Sequence, residues 1–289
     1  MSLEISNLFS VTNKIAVVTG GSRGIGEMLS SGFLANGAKV YITARKEEAL
    51  VAKATELSDK FGVACIPFVV DLSNLDGVLK LVDYLTEQEP NGIDFLINNA
   101  GAGITGPVEE TSLSAMQNHF TTNFFGPLSV AQQVLPVMRE QQSGLIINVT
   151  SIGGYMGLPF RGFYSASKGA LGIVSEALRM EVKRFGVDVV TLAPGDYATD
   201  IAARRIYSPL KDKSSYYAVY KASLDMMDDH VDAGLHPDTF ALTVDKIIHT
   251  KNRKVHYLSG SFLQKLSLTL KRILPDTLFE KIIRNHYKV

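Results

Sequence analysis

The residues of this chain best suited to chemistry lie between Asn148 and Lys168, where Ser151, Tyr164 and Lys168 stand out. Tyr164 and Lys168 are four positions apart, so a helix puts both side chains on one face, close enough for the ammonium to act on the phenol. A free phenol titrates at about 10 and is a poor acid at neutral pH, but a fixed positive charge beside it stabilises its anion. A three-unit reduction corresponds to roughly 4 kcal/mol, within reach of one partly desolvated lysine assisted by a cationic ring. Ser151 follows the apolar run Gly144 to Val149, which reads as a buried strand. A hydroxyl at the carboxyl end of such a strand sits where open α/β sheets present their chemistry. Alone, a Tyr-x-x-x-Lys spacing also fits two surface residues of an ordinary helix, so the elements that precede it decide between the two.

Lys14 to Thr19 is a short β-branched run followed at once by Gly20-Gly21-Ser22-Arg23-Gly24-Ile25-Gly26 and a helical pattern. Strand, glycine loop and helix in this order let backbone amides approach a pyrophosphate at the positive end of the helix dipole. The spacing is Gly-x-x-x-Gly-x-Gly rather than the commoner Gly-x-Gly-x-x-Gly. A second strand, Ala38 to Thr43, closes on Ala44-Arg45-Lys46. An acidic residue there would suit a ribose 2′-hydroxyl; this basic pair, with Arg23 in the loop, suits a 2′-phosphate, so NADP(H) is expected over NAD(H). A helix from about Lys46 to Phe61 leads to a third strand, Val63 to Val70, ending in Asp71-Leu72-Ser73. Asp71 can bond an adenine amine or cap the following helix. Ile93 to Ile97 is a fourth strand, closing on Asn98-Asn99-Ala100-Gly101, small residues suited to unusual backbone angles and close ligand approach. A long helical region, about Ser112 to Gln142, carries Asn123, whose amide needs a buried water or neighbouring backbone to satisfy it. Gly144 to Val149 and Val187 to Ala193 are the fifth and sixth strands, the last running into Pro194, Gly195 and Thr199. Strands alternating with helices in this way describe an α/β doubly wound parallel sheet of Rossmann-like type.

Composition removes other classes. The 289 residues carry 29 basic and 29 acidic side chains, so no overall field points to nucleic acid or an acidic substrate. The balance is uneven: Ser259 to Val289 holds six basic and two acidic residues, a basic module on a mildly acidic body. A single cysteine, Cys65, excludes an internal disulfide, and its apolar setting suggests a buried strand position. No histidine or cysteine spacing supports a metal. The first residues lack the pattern of a signal peptide and no run is long enough to span a bilayer, so a cytoplasmic setting is expected. Residues 1–289 read as one domain, with a dinucleotide-binding core over 8–195, a substrate lid over 196–235 and a basic amphipathic tail over 259–289.

Taken together, Thr19-Gly20-x-x-x-Gly24-Ile25-Gly26, Asn98-Asn99-Ala100-Gly101, Asn123, Ser151, Tyr164-x-x-x-Lys168 and Pro194-Gly195-x-x-x-Thr199 resemble the short-chain dehydrogenase/reductase family. The likeness covers roughly Leu8 to Thr199. It implies that Tyr164 is the proton donor to a substrate carbonyl, that Lys168 lowers its pKa while holding the nicotinamide ribose, and that Ser151 hydrogen-bonds the carbonyl oxygen. It implies that Asn123 holds a water relaying protons to Lys168. It also places Gly20, Ser22, Arg23, Gly24, Ile25, Arg45, Asp71, Leu72, Asn99, Ala100, Gly101, Pro194, Gly195 and Thr199 around the dinucleotide, and suggests a homodimer or homotetramer built on the helices of Asn123 and Tyr164. These roles agree with the residues' own chemistry, because hydride addition to a carbonyl creates an alkoxide that needs a proton donor and oriented hydrogen bonds.

On the substrate side, Asp196 to Leu235 carries Tyr197, Ile201, Ile206, Tyr207, Tyr216, Tyr217, Tyr220, Met226 and Met227, and Ile104, Gly153, Tyr155 and Met156 are expected to complete an apolar pocket. Several of these can equally pack the lid on the body. The opening half resembles 3-oxoacyl-thioester reductases; the tail resembles hydroxysteroid- and retinoid-type members. In that tail Phe262, Leu266, Leu270 and Leu274 recur at helical spacing, then Leu278, Phe279, Ile282 and Ile283, a basic amphipathic pair that can dock on a membrane or cover the body. The expected activity is NADPH-dependent reduction of an apolar carbonyl substrate, a 3-oxoacyl thioester ranked above a steroid or other lipid ketone. A dinucleotide-binding regulator without turnover is disfavoured by the intact Ser151, Tyr164 and Lys168. Serine hydrolysis fails because Val149 stands where a nucleophile elbow needs glycine.

Overall fold

The structure is a computed structural model that describes residues 11–197, 206–207, 214–232, 235–236 and 238–289. Its strands are β1 (Ile15–Thr19), β2 (Lys39–Ala44), β3 (Cys65–Val69), β4 (Phe95–Asn98), β5 (Ile104–Thr105), β6 (Gly144–Val149), β7 (Val187–Pro194), β8 (Ile206–Tyr207) and β9 (His256–Ser259). Seven of them form one parallel sheet in the order β3-β2-β1-β4-β6-β7-β9, while β5 and β8 pair with each other. The chain builds outward from β1 in one direction and then from β4 in the other, so the β1/β4 boundary is the switch point at which such sheets bind ligands.

The alternation of side chains along each strand explains the layering. Val18, Ile42, Ile97, Ile147 and Leu192 face one side of the sheet, where α1 (Gly24–Ala35), α2 (Glu47–Phe61) and α8 (Asp238–His249) cover them with Leu29, Phe33, Leu50, Leu57, Phe240 and Val244. Val17, Tyr41, Leu96, Ile146 and Val189 face the other, under α3 (Leu75–Gln88) and α5 (Gly126–Glu140), which contribute Val78, Leu81, Val130 and Val134. Each fully buried aliphatic or aromatic side chain contributes about 1.5–3 kcal/mol, so both layers are strongly specified. The second face also carries α6 (Gly162–Val182). A buried polar thread fixes that helix: Asn98 Nδ2 donates to Asn148 Oδ1 at 2.9 Å, and Asn148 Nδ2 donates to Ser175 Oγ at 2.8 Å.

Two sequence expectations are corrected. The sheet has a seventh strand, β9, beyond the six read from the pattern; only Tyr257 and Leu258 are apolar in it, and its strand form follows from pairing with β7 (Thr191↔His256 to Pro194↔Ser259) rather than from its own residues. The region from Ser112 to Gln142 is not one helix. It is α4 (Leu113–Phe120), a π-helical turn over Thr121–Phe125, and α5, and the wide turn carries Asn123. Among the described residues no helix is long and apolar enough to cross a membrane.

Candidate active site

The nucleotide end is built by β1, the glycine loop and α1. Gly20 has φ 65°, which L side chains rarely adopt, and a Cβ on Gly26 would stand 2.1 Å from the Gly20 carbonyl oxygen. Asn99 ties the neighbouring turn to this loop: its Nδ2 donates to Thr19 O at 3.1 Å, while its backbone N–H and that of Ala100 donate to Thr19 Oγ1, each at 3.0 Å. Arg23 is the N-cap of α1 but its side chain makes no capping bond, so the first-turn amides present an uncapped helix N-terminus. Arg23 and Arg45 are both exposed, and among the described residues neither guanidinium has an ion pair. These features fit a dinucleotide: glycines where the backbone must come close, uncapped amides for a pyrophosphate, and two unpaired cations beside them. Asp71 does not cap α3. Asn74 does, accepting from Asp76 N–H at 3.1 Å, while Asp71 folds onto Ser73.

At the other end of the crevice Ser151, Tyr164, Lys168 and Asn123 are all buried. Ser151 leaves β6 in extended conformation and caps a 3-10 turn, Ile152–Tyr155, by accepting from Gly153 N–H at 3.1 Å. Among the described residues its hydroxyl proton has no acceptor. Lys168 Nζ donates to the Val149 carbonyl at 2.9 Å and makes no direct hydrogen bond to the Tyr164 phenol, which leaves two N–H groups for a ligand. Burial brings Lys168 down to about 8. Asn123 pairs with backbone: its Nδ2 donates to Ala102 O, and its Oδ1 accepts from Ala102 N–H, both at 2.8 Å. A Cβ on Gly101 would lie 3.3 Å from both Lys168 Nζ and Asn123 Oδ1, so the amide and the ammonium flank one glycine.

Sequence reasoning missed two residues here. His119 is buried, and burial together with the Lys168 charge pushes it down to about 4, so it is neutral. Its Nε2 lies 3.1 Å from Ser167 Oγ, whose own proton goes to Tyr164 O at 2.9 Å, and 3.2 Å from Asn123 Nδ2, so a protonated Nε2 donates to Ser167 and a bare one accepts from Asn123. The Asn123, His119 and Ser167 contacts thus join α4 to the turn of α6 that carries Tyr164. The signal was present: His119 lies four residues before Asn123 and Ser167 three after Tyr164, each on the same helical face.

The substrate side differs more from expectation. Tyr197 is buried against Phe240 with its hydroxyl on Ser259 Oγ at 2.6 Å, Tyr220 bonds Thr105, Tyr216 bonds Glu109 and Met227 is buried, so these lid residues fasten the lid. Ile201 and Thr199 lie outside the described residues. The tail forms α9 (Phe262–Ile273) and α10 (Asp276–Tyr287) and packs on the loop after Ser151: Ile152, Met156, Leu268 and Phe279 share one buried cluster, with Tyr155, Leu270, Leu274 and Ile283 against it. Its apolar stripe is therefore divided, because Phe262, Leu263 and Ile273 are 77%, 74% and 68% exposed. Gln264 of α9 bears on Gly195, where a Cβ would stand 2.1 Å from its Oε1, and donates to Asp196 Oδ2 at 2.7 Å.

A parallel sheet with a glycine loop at its switch point and a Ser, Tyr and Lys set at the strand ends defines a dinucleotide-dependent oxidoreductase. Residues 14–207 match the pattern of the short chain dehydrogenases, and the chain belongs to the short-chain dehydrogenase/reductase family, with an NAD(P)-type cofactor and chemistry on CH–OH groups. Over 277 residues it is 34% identical to a 3-ketodihydrosphingosine reductase of Bacteroides thetaiotaomicron, covering 96% of this chain and 98% of the relative. It is 30% identical to an NADPH-dependent 1-acyldihydroxyacetone phosphate reductase of Saccharomyces cerevisiae, covering 99% of this chain and 95% of the relative. A short-chain dehydrogenase/reductase from Burkholderia phymatum, solved in complex with NAD, superposes with a TM-score of 0.81 at 26% identity, over 91% of this chain and 94% of the other.

Proposed function

We propose that this protein uses NADPH to reduce a ketone on an acyl-chain-bearing lipid. The observation that carries the reading is the burial of Ser151, Tyr164 and Lys168 around the end of β6, with the lysine charge held by a carbonyl and free to act on the phenol. The bound nicotinamide would supply the hydride. Tyr164 gives its proton to the carbonyl oxygen, Ser151 donates a hydrogen bond to the same oxygen, and the Lys168 ammonium stabilises the phenolate left behind. Asn123 holds Ala102 in place and keeps its amide beside Lys168, where a proton relay would pass. The names of the two relatives, each matched over nearly its whole length, favour a lipid ketone over a 3-oxoacyl thioester. The 2′-phosphate of NADPH would meet Arg23 and Arg45.

Two further parts of this reading concern surfaces. Phe262, Leu263 and Ile273, beside Lys265 and Arg272, form the face by which the tail would rest on an anionic bilayer. Phe125, Ile173 and Met180, exposed on the π turn and α6, would be covered in a homo-oligomer, and a purely monomeric mass by light scattering would remove that assignment. The central test is Tyr164→Phe assayed for NADPH oxidation over long-chain lipid ketones and 3-oxoacyl thioesters. Turnover should fall by at least a hundredfold with the fold intact, and unchanged turnover would refute the assignment of Tyr164.

A further inference from the structure

Arg161 stands three residues before Tyr164, at the start of α6, and its guanidinium lies over the Tyr164 ring, 4.9 Å from Cζ to centroid. The side chain is half-buried, yet among the described residues it has no carboxylate at ion-pair distance. Asp196 contributes to its electrostatic surroundings, but that carboxylate is already taken by Gln264. The phenol of Tyr287, from the last turn of α10, lies close enough to act on the guanidinium charge. Tyr287 is itself buried, and its carbonyl accepts from Ser223 Oγ of α7 (Tyr217–Asp232) at 2.6 Å. The backbone entering the arginine is constrained too. Phe160 has φ 58°, rare outside glycine, and is held there by the Gly106 N–H on its carbonyl at 2.9 Å and by its ring against Tyr220.

A permanently charged group is thus taken partly out of water and set over the reacting phenol after an uncommon backbone angle, with a neutral hydroxyl beside it and, among the described residues, no carboxylate at ion-pair distance. Guanidinium groups in such settings usually face a carboxylate or phosphate, which they bind with paired N–H donors. We propose that Arg161 is a specificity residue: it binds an oxyanion, carboxylate or phosphate, carried by the lipid ketone a few bonds from its carbonyl, and Tyr287 is the positioning residue that holds the guanidinium over Tyr164. This rests on the ketone-reductase reading and narrows it to anionic lipid ketones, with substrates bearing an ammonium beside the carbonyl disfavoured. It also gives the tail a role inside the site.

The test is calorimetric and needs no turnover, so its failure is separable from failure of the reductase reading. Enzyme saturated with NADPH is titrated with octyl phosphate, octanoate, octanol and octylamine, and the first two arms distinguish phosphate from carboxylate. At least one anion should bind tenfold or more tightly than octanol, and octylamine no better than octanol. Arg161→Gln should abolish the preference without changing NADPH affinity, Arg161→Lys should keep part of it, and Tyr287→Phe should weaken it severalfold. Equal affinity across the four ligands, or an anion preference that survives Arg161→Gln, would overturn the proposal and leave Arg161 as a fastener of the tail.

Discussion

Replacing Asn123 by alanine separates the architecture of the site from its chemistry. The change deletes two hydrogen bonds to Ala102, each 2.8 Å long. A net value of about 1 kcal/mol per bond gives about 2 kcal/mol of lost stability. Ala102 is half-buried, so water reaches the freed N–H and C=O and keeps the loss near the net value rather than the full penalty of two unsatisfied buried groups. That loss corresponds to a fall of about 4 °C in Tm. Asn123→Asp has a different signature. The carboxylate keeps the Ala102 N–H bond and places a negative charge near Lys168, since Asn123 Oδ1 and Lys168 Nζ flank the same point on Gly101. Each atom lies 3.3 Å from that point, and at an effective dielectric of about 20 a pair so placed interacts by about 3 kcal/mol, or about two pKa units. Lys168 stands near 8 because of burial, so the unmodified enzyme should lose kcat/KM for the cofactor as pH rises through about 8, where the ammonium loses its charge. In Asn123→Asp that decline should move toward pH 10. The measurements are denaturant melts and kcat/KM profiles from pH 6 to 10.5. An Asn123→Ala protein of unchanged stability, or an Asn123→Asp profile still falling at pH 8, would refute the reasoning.

Arg45→Asp should weaken NADPH binding at least tenfold more than NADH binding in fluorescence titrations, and equal losses would remove the 2′-phosphate role. Exchanging Phe262 and Leu263 together for aspartate should abolish sedimentation with anionic vesicles while leaving reduction of a soluble ketone intact; undiminished vesicle binding would dismiss the tail as the contact surface. Asp188 is buried, which alone would raise its pKa, but hydrogen bonds from Lys183 and Arg253 hold it below the usual carboxylate range. Its contribution is therefore complete above pH 4 and disappears as pH falls through the depressed native value. Asp188→Asn should remove about 2 kcal/mol at pH 7 and flatten the acid limb of stability, and an unchanged melt at pH 7 would contradict this.

Six strands of the sheet and the glycine loop were legible because each of those strands carries its own signal: an apolar run ending at glycine or a small polar residue, as in Val17-Val18-Thr19-Gly20 or Leu96-Ile97-Asn98. Tyr164, Lys168 and Ser151 were legible by spacing and by their place at a strand end. What escaped depends on partners remote in sequence. His256 to Ser259 becomes a strand only beside β7, the π turn carries an amide whose partner, Ala102, is twenty-one residues away, and Leu268 rather than Phe262 is buried because the loop after Ser151 lies beneath it. Arg161, too, depends on a remote neighbour. No local pattern announces that Tyr287, more than a hundred residues later, returns to meet it.

That return has a practical side. Lys288 turns left-handed immediately after Tyr287, so whatever peptide is joined behind Val289 leaves from beside the side chain set against Arg161. An affinity handle or fluorescent fusion placed there would load the Tyr287 contact and with it the anion preference proposed for Arg161.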